Sequence, residues 1–167
     1  MKALVKFAKV KEGAIVPSKR DEDMGFDIYA CLDEKTDWIK ILPHSSELIP
    51  TGIASAVDKQ WGFIFRERGS TGVKNMKINA GVIDSGFRNE WFVSLYNGND
   101  VPVYITKYMN GEQSPEETNA IIYPHTKAIA QALLVEVPEV EVEEISYEEL
   151  KAIESERGMG MIGSSNK

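Results

Sequence analysis

The central stretch of the chain, residues 79–97, alternates apolar and polar positions as a paired β-strand does. The odd positions from Trp91 to Leu95 are large and apolar, and the even positions from Phe92 to Tyr96 mix aromatic residues with a serine. A second strand-like run, Ala80–Ile83, precedes this one, and the polar turn DSGFRN at Asp84–Asn89 separates the two. The pattern predicts a β-hairpin with its turn at those six residues.

Short apolar runs separated by turn residues continue along the rest of the chain. They predict further strands at Leu4–Val10, Trp38–Leu42, Leu48–Val57, Trp61–Phe65, Val101–Thr106, Ala120–Tyr123 and Ile129–Val137. Tyr108–Asn119 has no apolar periodicity and is predicted to be a surface loop. Ser146 and Glu149 form a capping box that predicts one short helix, Tyr147–Ser155. Many short strands with intervening turns are typical of an all-β protein.

The composition is that of an ordinary soluble domain. A length of 167 residues suits one domain with its own core. No apolar run approaches the roughly 20 residues that a membrane-spanning helix needs, and the first residues lack the apolar centre of a signal peptide. The single cysteine, Cys31, excludes an intramolecular disulfide. It is expected to be a buried small residue in a cytoplasmic protein.

The negative charge of the chain is concentrated near one end. The net charge is −7, and Glu136–Glu156 alone carries nine glutamates and one lysine, so the remainder is close to neutral. No basic stripe suited to coating a nucleic acid is visible. A small polyanion remains a plausible ligand, provided that a few arginines converge on it and a divalent cation neutralises the rest.

Asp84 is the first candidate for chemistry. It ends the run Ala80–Ile83 and is followed by a Ser85–Gly86 turn, Phe87 and Arg88. A carboxylate at the mouth of a turn, beside an aromatic wall, could activate a water against a bound ligand. The alternative interpretation is a hairpin with a structural role only.

Three more polar positions stand out, each with a plainer alternative. Asp27 follows Gly25 between aromatic and aliphatic residues, and it could simply cap a turn. The segment RERGSTGVK offers backbone N–H groups and the donors of Arg68 to an anion, or it is a solvated turn with Arg68 in a surface ion pair. Gln131 interrupts a continuous apolar run, which a hydrogen-bonded edge residue could also explain.

Together these segments resemble, in order, the five motifs of the trimeric dUTPases, phage-type members with an insertion included; these enzymes hydrolyse dUTP to dUMP and pyrophosphate. The first motif surrounds Asp27, the second is Arg68–Thr71, the third is 79–97, the fourth surrounds Gln131 and the fifth is Arg157–Ser165. The chain departs from the family at a few positions. Gly69 stands where the family usually has serine, which leaves Ser70 or Thr71 as the phosphate-binding hydroxyl. In the fifth motif Met161 replaces a glycine, and Ile162 replaces the phenylalanine that stacks on uracil.

The resemblance implies an all-β, jelly-roll β-barrel with almost every strand antiparallel, one short helix and a C-terminal arm. It implies a barrel domain at 1–156 with a surface insertion at about 108–119. The remaining residues, 157–167, would be a mobile arm that closes the active site. It also implies a homotrimer in which several subunits build each active site.

The resemblance further implies roles for individual residues. Asp84 would be the catalytic base, and Asp27 would lie in the second shell of a Mg²⁺ ion held mainly through substrate phosphates and water. The implied substrate-binding residues are Arg68, Gly69, Ser70, Thr71, Asn79, Gly81, Val82, Ile83, Phe87, Gln131, Arg157, Ile162, Gly163, Ser164 and Ser165.

Two alternatives remain beside this interpretation. A dCTP deaminase of the same fold would carry a glutamate after the hairpin, where this chain has Val93–Ser94–Leu95. A regulatory protein built on the dUTPase scaffold would use the insertion, Tyr108–Asn119, to bind a protein partner. Neither a nucleic acid nor a membrane is expected as a partner.

Overall fold

The computed structural model describes residues 3–111, 114–156, 158 and 160. The chain divides into two compact units, Met1–Val137 and Pro138–Lys167. In its described part the first unit contains strands β1 Lys6–Lys9, β2 Gly25–Ile28, β3 Trp38–Ile41, β4 Ser46–Pro50, β5 Ile53–Ala56, β6 Trp61–Arg66, β7 Met76–Asn79, β8 Val82–Ile83, β9 Phe92–Asn97, β10 Val103–Thr106, β11 Ile121–Pro124 and β12 Ala130–Glu136, with the short helix α1 Gly69–Gly72. The predicted all-β class is confirmed.

The strands form four small sheets. Their orders are β1–β5, β11–β10–β3, β2–β12–β6–β8 and β4–β9–β7. Every described pair is antiparallel except β10 with β11. The expectation of an almost wholly antiparallel barrel therefore holds.

An aromatic cluster around Trp91 fills the core of this unit. Trp91 is fully buried, and its ring centroid lies 4.9 Å from that of Phe63, 5.4 Å from that of Phe65 and 5.6 Å from that of Phe7. The angles between the ring planes fit edge-to-face packing, which aromatic quadrupoles favour. The alternation read from the sequence is confirmed, because Trp91, Val93 and Leu95 are buried whereas Phe92 is exposed.

The predicted hairpin at Asp84–Asn89 is wrong. β8 pairs with β6, whereas β9 pairs with β4 and β7, so the two runs belong to different sheets. Trp91 provides the physical reason, because its backbone N–H donates to Ile53 and its carbonyl accepts from Thr51. The chain has to cross to that neighbourhood before β9 begins, so the six-residue turn is a connection between sheets.

The predicted strand Leu48–Val57 is also two strands, β4 and β5, in different sheets. The break lies at Gly52, whose φ of +67° is a conformation that favours glycine. The Gly52 N–H donates to the Glu90 carboxylate at 2.9 Å, which holds the break in place. Cys31 packs beside it, buried as predicted, and desolvation raises the pKa of its thiol.

The second unit contains helix α2, Tyr147–Ala152. Its predicted capping box is present: Ser146 Oγ accepts the Glu149 N–H at 3.2 Å, and the Glu149 carboxylate accepts the Ser146 N–H at 2.8 Å. The helix ends three residues earlier than predicted. Among the described residues, no helix combines the length and apolarity needed to cross a membrane.

The segment 107–120 connects β10 to β11, the one parallel pair among the strands that the structure describes. Val103 of β10 lies opposite Ile121 of β11, and Thr106 lies opposite Pro124. Parallel neighbours cannot be joined by a tight turn and need a crossover of about a dozen residues or more. The predicted surface loop Tyr108–Asn119 therefore supplies the length that this topology requires.

Glu117 attaches the crossover to the sheet that it spans. Its Oε2 accepts a hydrogen bond from Lys40 Nζ of β3 at 2.8 Å and from the Tyr104 hydroxyl of β10 at 2.6 Å. The Lys40 ammonium also lies 5.3 Å from the Tyr104 ring centroid. The Lys40–Glu117 ion pair is exposed to solvent, which screens it, whereas the hydrogen bond from the buried Tyr104 is partly shielded.

Replacing residues 108–119 with a Gly/Ser linker of equal length should keep the β10–β11 pairing and lower the Tm only slightly. A two-residue linker should lower the Tm strongly, because the chain could no longer cross back to the start of β11. Thermal unfolding followed by circular dichroism compares the two variants. An equal loss of Tm in both would contradict a topological role for the crossover.

Candidate active site

A bidentate ion pair joins the first two predicted motifs. Asp27 lies on β2, and Arg68 follows β6 at the start of α1. Arg68 Nε lies 2.8 Å from Asp27 Oδ1, and Arg68 Nη2 lies 3.3 Å from Oδ2. Both side chains are about one-third exposed, so the pair faces a solvent-accessible surface. The fork geometry fixes the guanidinium plane while leaving other N–H donors of Arg68 for a ligand.

Gln131 of β12 lies next to this pair. In the sheet its Cα stands opposite Asp27 of β2 on one side and opposite Arg66 of β6 on the other. Its Nε2 donates to the Glu67 carbonyl at 2.8 Å, which orients the amide. The first, second and fourth motifs therefore meet at one end of a single sheet.

The loop after Arg68 gives different environments to the hydroxyls of Ser70 and Thr71, either of which could bind phosphate on sequence grounds. Thr71 is fully buried; its Oγ1 accepts the Arg68 N–H at 3.0 Å and lies 3.1 Å from the Arg68 carbonyl, to which it donates. Ser70 is exposed, as is Gly69, beside which a Cβ atom would meet nothing within 4 Å. Thr71 thus closes the loop from inside, and Ser70 carries the hydroxyl that a ligand can reach.

These residues line an open cleft of about 800 Å³. The lining residues are Ser18, Lys19, Arg20, Glu22, Asp23, Met24, Gly25, Asp27, Arg68, Gly69, Ser70 and Gln131. The loop 18–24, which lies outside the five motif-like segments, forms one wall. Arg20 makes a bidentate ion pair with Asp23 at 2.9 Å, and its hydrogen bonds lower the pKa of Asp23 to about 2. The proximity of Lys19 and Arg20 to Asp27 follows from folding, and no sequence spacing indicates it.

Asp84 lies elsewhere in the same unit. It is exposed, and its carbonyl accepts the Phe87 N–H at 3.1 Å, which closes the turn after β8. It borders a smaller pocket of about 160 Å³. Ile83, which precedes Asp84, stands opposite Phe63 of β6, whereas Gln131 stands opposite Arg66. The backbone at Ile83 is therefore at least ~10 Å from the cleft end of the sheet, measured along β6. One chain therefore does not bring Asp84 together with the Arg68 cleft.

The stretch from Asn79 to Ile83 runs from the last residue of β7 through β8. The Asn79 side chain donates to Ser46 Oγ at 2.9 Å, and Ala80 has a φ of +52°. The Gly81 carbonyl accepts the Phe65 N–H at 2.7 Å, and a Cβ atom on Gly81 would lie only 2.9 Å from the Phe65 carbonyl oxygen. Only glycine allows this close approach of two backbones. β8 is an edge strand, so its outer backbone groups are not used by the sheet, and Val82 is 71% exposed.

Most of the predicted fifth motif is outside the described part of the chain. Arg157, Ile162, Gly163, Ser164 and Ser165 lie outside the described residues.

The described residues offer no ready-made protein cage for a metal ion. Among them, no group of three or more His, Cys, Asp or Glu side chains converges in a way that could hold one. Both carboxylate oxygens of Asp27 are engaged by Arg68.

The first comparison with known proteins is decisive for the family. The family model described as dUTPase matches residues 11–110, which include Asp27, Arg68 and Asp84. The chain belongs to the dUTPase family. This dUTPase-family chain is 32% identical over 151 residues to the deoxyuridine 5'-triphosphate nucleotidohydrolase of Mycobacterium sp. (strain JLS), a match that covers 87% of the chain and 82% of that protein.

Two further comparisons bear on the extent of the likeness. The deoxyuridine 5'-triphosphate nucleotidohydrolase of Leptospira interrogans is 35% identical over 79 residues, 46% of this chain and 52% of that protein, so the match spans about half the length of that relative. A mutant dUTPase of Staphylococcus bacteriophage 80alpha with dUpNHpp superposes with a TM-score of 0.74 at 18% identity, covering 98% of this chain and 99% of that one. At that identity the structural likeness establishes the fold.

Thr71→Val should lower the free energy of unfolding by about 1–2 kcal/mol, because it removes the buried hydroxyl that closes the loop after Arg68. Ser70→Ala is the matched control, and its effect on stability should stay within roughly 0.5 kcal/mol because the side chain is exposed. Urea denaturation at equilibrium measures both. A larger loss in Ser70→Ala than in Thr71→Val would reverse the roles assigned to the two hydroxyls.

Proposed function

We propose that this chain hydrolyses dUTP to dUMP and pyrophosphate. The observation that carries the proposal is the family match over 11–110, which contains a carboxylate, an arginine loop and a second carboxylate at accessible surfaces. Asp27 and Arg68 line the cleft of about 800 Å³, a volume adequate for a nucleotide, and Asp84 stands exposed at its turn.

The phosphate side of the site is assigned to the cleft at the end of β6. Arg68 supplies charged donors, Ser70 a hydroxyl and Gln131 an oriented amide. Gly69 leaves the backbone open to a phosphate, and Thr71 holds the loop in shape. Of the residues beyond the described part, Arg157, Gly163, Ser164 and Ser165 are proposed to add donors from the C-terminal arm, 157–167.

The nucleobase and sugar side is assigned to the β7–β8 connection. The backbone of Asn79, Gly81, Val82 and Ile83 would hydrogen-bond the uracil edge. Phe87, 38% exposed after the turn, would pack on deoxyribose where a 2′-hydroxyl would clash. Ile162 is proposed to cover the uracil by apolar contact.

Asp84 is proposed as the general base. Its carboxylate takes a proton from a water as the water oxygen bonds to the α-phosphorus. The bond from that phosphorus to the bridging oxygen breaks, and pyrophosphate leaves with the electron pair. Arg68 and Gln131 hold the phosphates in line for this displacement. A Mg²⁺ ion, when bound, would supply positive charge to the phosphate oxygens.

The active unit is proposed to be a homotrimer. Asp84 and the Arg68 cleft are separated along β6 within one chain, so a complete site needs groups from more than one subunit. A barrel domain at 1–156 and a closing arm at 157–167 remain the proposed organisation.

Deamination of dCTP and a purely regulatory role are less well supported than dUTP hydrolysis. Ser94 of β9 stands opposite Asn79 of β7, at the position where a dCTP deaminase would carry its glutamate. A hydroxyl cannot act as that general base at neutral pH, so deamination is disfavoured. A protein partner that binds the insertion 108–119 would add to hydrolysis and need not replace it.

Pyrophosphate release with Mg²⁺ should be much faster from dUTP than from UTP, dCTP or dTTP. Asp84→Asn keeps the shape of the side chain and removes its basicity, so turnover of dUTP should fall by roughly 10²–10⁴-fold while dUTP still binds. Binding measured by calorimetry separates loss of chemistry from loss of affinity. Ammonia release from dCTP, or near-normal turnover in Asp84→Asn, would contradict the proposal.

A further inference from the structure

Glu67 stands between the two halves of the proposed site. It lies between β6 and α1 and is adjacent to Arg68, yet its side chain does not line the cleft. We propose that Glu67 is a positioning residue. Its carboxylate fixes the position of the base-binding connection 79–83 relative to the phosphate-binding loop. This inference rests on the proposed hydrolysis of dUTP.

The Glu67 carboxylate serves β7 as a hydrogen-bond acceptor where a neighbouring strand would otherwise supply one. β7 is an edge strand of its sheet, so the N–H groups on its outer side have no neighbouring strand to bind. The Ile78 N–H donates instead to Glu67 Oε1 at 2.9 Å. A hydrogen bond to a charged acceptor is stronger than one between neutral groups.

The connection 79–83 is thereby held at two points by one short piece of chain. Ile78 immediately precedes Asn79, and the Glu67 carboxylate accepts its N–H. On the other side of Ala80, the Gly81 carbonyl accepts the Phe65 N–H at 2.7 Å. Between these anchors the chain turns through Ala80, whose positive φ is unfavourable for a residue with a Cβ atom. A strained turn persists only where its surroundings fix it, so both anchors are needed.

The same residue reaches the phosphate side through its main chain. The Glu67 carbonyl accepts Gln131 Nε2 at 2.8 Å. A side-chain substitution at Glu67 leaves that carbonyl in place. The two halves can therefore be separated experimentally: loss of the carboxylate should disturb the base side and spare the phosphate side.

A surface ion pair with Arg66 explains the placement of the Glu67 carboxylate less well than the hydrogen bond from Ile78 does. Arg66 Nε lies 3.8 Å from Glu67 Oε2, beyond hydrogen-bond distance, and the Arg66 side chain is 62% exposed. The Ile78 N–H is the principal cause of the lowered pKa of Glu67. The carboxylate is thus bound to β7 through the Ile78 N–H.

The test compares Glu67→Ala and Glu67→Gln with Glu34→Ala, which removes an exposed carboxylate from a loop of the same unit. Amide hydrogen exchange at Ile78 reports the contact itself in the free protein. Calorimetry with dUMP and with pyrophosphate, both with Mg²⁺, measures the two halves separately. Steady-state kinetics with dUTP gives kcat and KM.

In Glu67→Ala, Ile78 exchange should accelerate, and the Kd for dUMP and the KM for dUTP should rise roughly threefold to tenfold. The kcat and the Kd for pyrophosphate should stay within about twofold. Glu67→Gln retains an oxygen acceptor and should recover most of the loss, and Glu34→Ala should match the wild type. If Glu67→Ala does not fold, Glu67→Asp replaces it with the same expectation, because it shortens the reach to Ile78.

Unchanged dUMP affinity in a folded Glu67→Ala would overturn the inference, as would an equal weakening of pyrophosphate. A wild-type protein that neither hydrolyses dUTP nor binds dUMP would instead overturn the proposed function, and the inference with it. Because wild-type turnover is measured first, the two failures are distinguishable.

Discussion

The antiparallel pairing of β12 with both β2 and β6 is the constraint on which the candidate site depends. It places Gln131 between Asp27 and Arg66, three residues that are far apart in sequence. Side chains alternate between the two faces of a strand, so a slip of one residue in β12 would turn Gln131 to the other face. The buried run around it, with Ala130 and Ala132 in the core, makes such a slip costly. Core packing thereby fixes the polar site.

Local patterns in the sequence predicted features that depend on neighbours along the chain. The alternation around Trp91 and the capping box at Ser146 are examples, because side-chain period and helix capping are set within a few residues. Pairing partners were harder to predict. The turn at Asp84–Asn89 has the composition of a hairpin, yet the choice of β6 as the partner of β8 depends on contacts formed elsewhere. The role of Glu67 was equally hidden, because a glutamate between two arginines resembles any solvated charge.

The candidate site thus has two halves with different physical supports. The phosphate half is held by charge and by side-chain hydrogen bonds, chiefly from Arg68 and Gln131. The base half relies on backbone geometry, with the close approach of Gly81 to Phe65 at its centre. Asp84 lies near the end of β6 that is farther from the phosphate half. In the proposed homotrimer, neighbouring copies would complete the site, and activity would then depend on oligomerisation.

Subunit mixing distinguishes a site shared between subunits from a site built by one chain. Arg68→Gln and Asp84→Asn subunits would each be assayed alone and after unfolding and refolding as a 1:1 mixture. Random assortment places an intact Asp84 and an intact Arg68 together in roughly a quarter of the sites, provided that they come from different subunits of a symmetric assembly. A shared site should recover about that fraction of wild-type dUTP turnover in the mixture, and chains that carry both substitutions should recover none. A mixture no more active than its two components would show that one chain supplies both groups, and a site shared between subunits would then be ruled out.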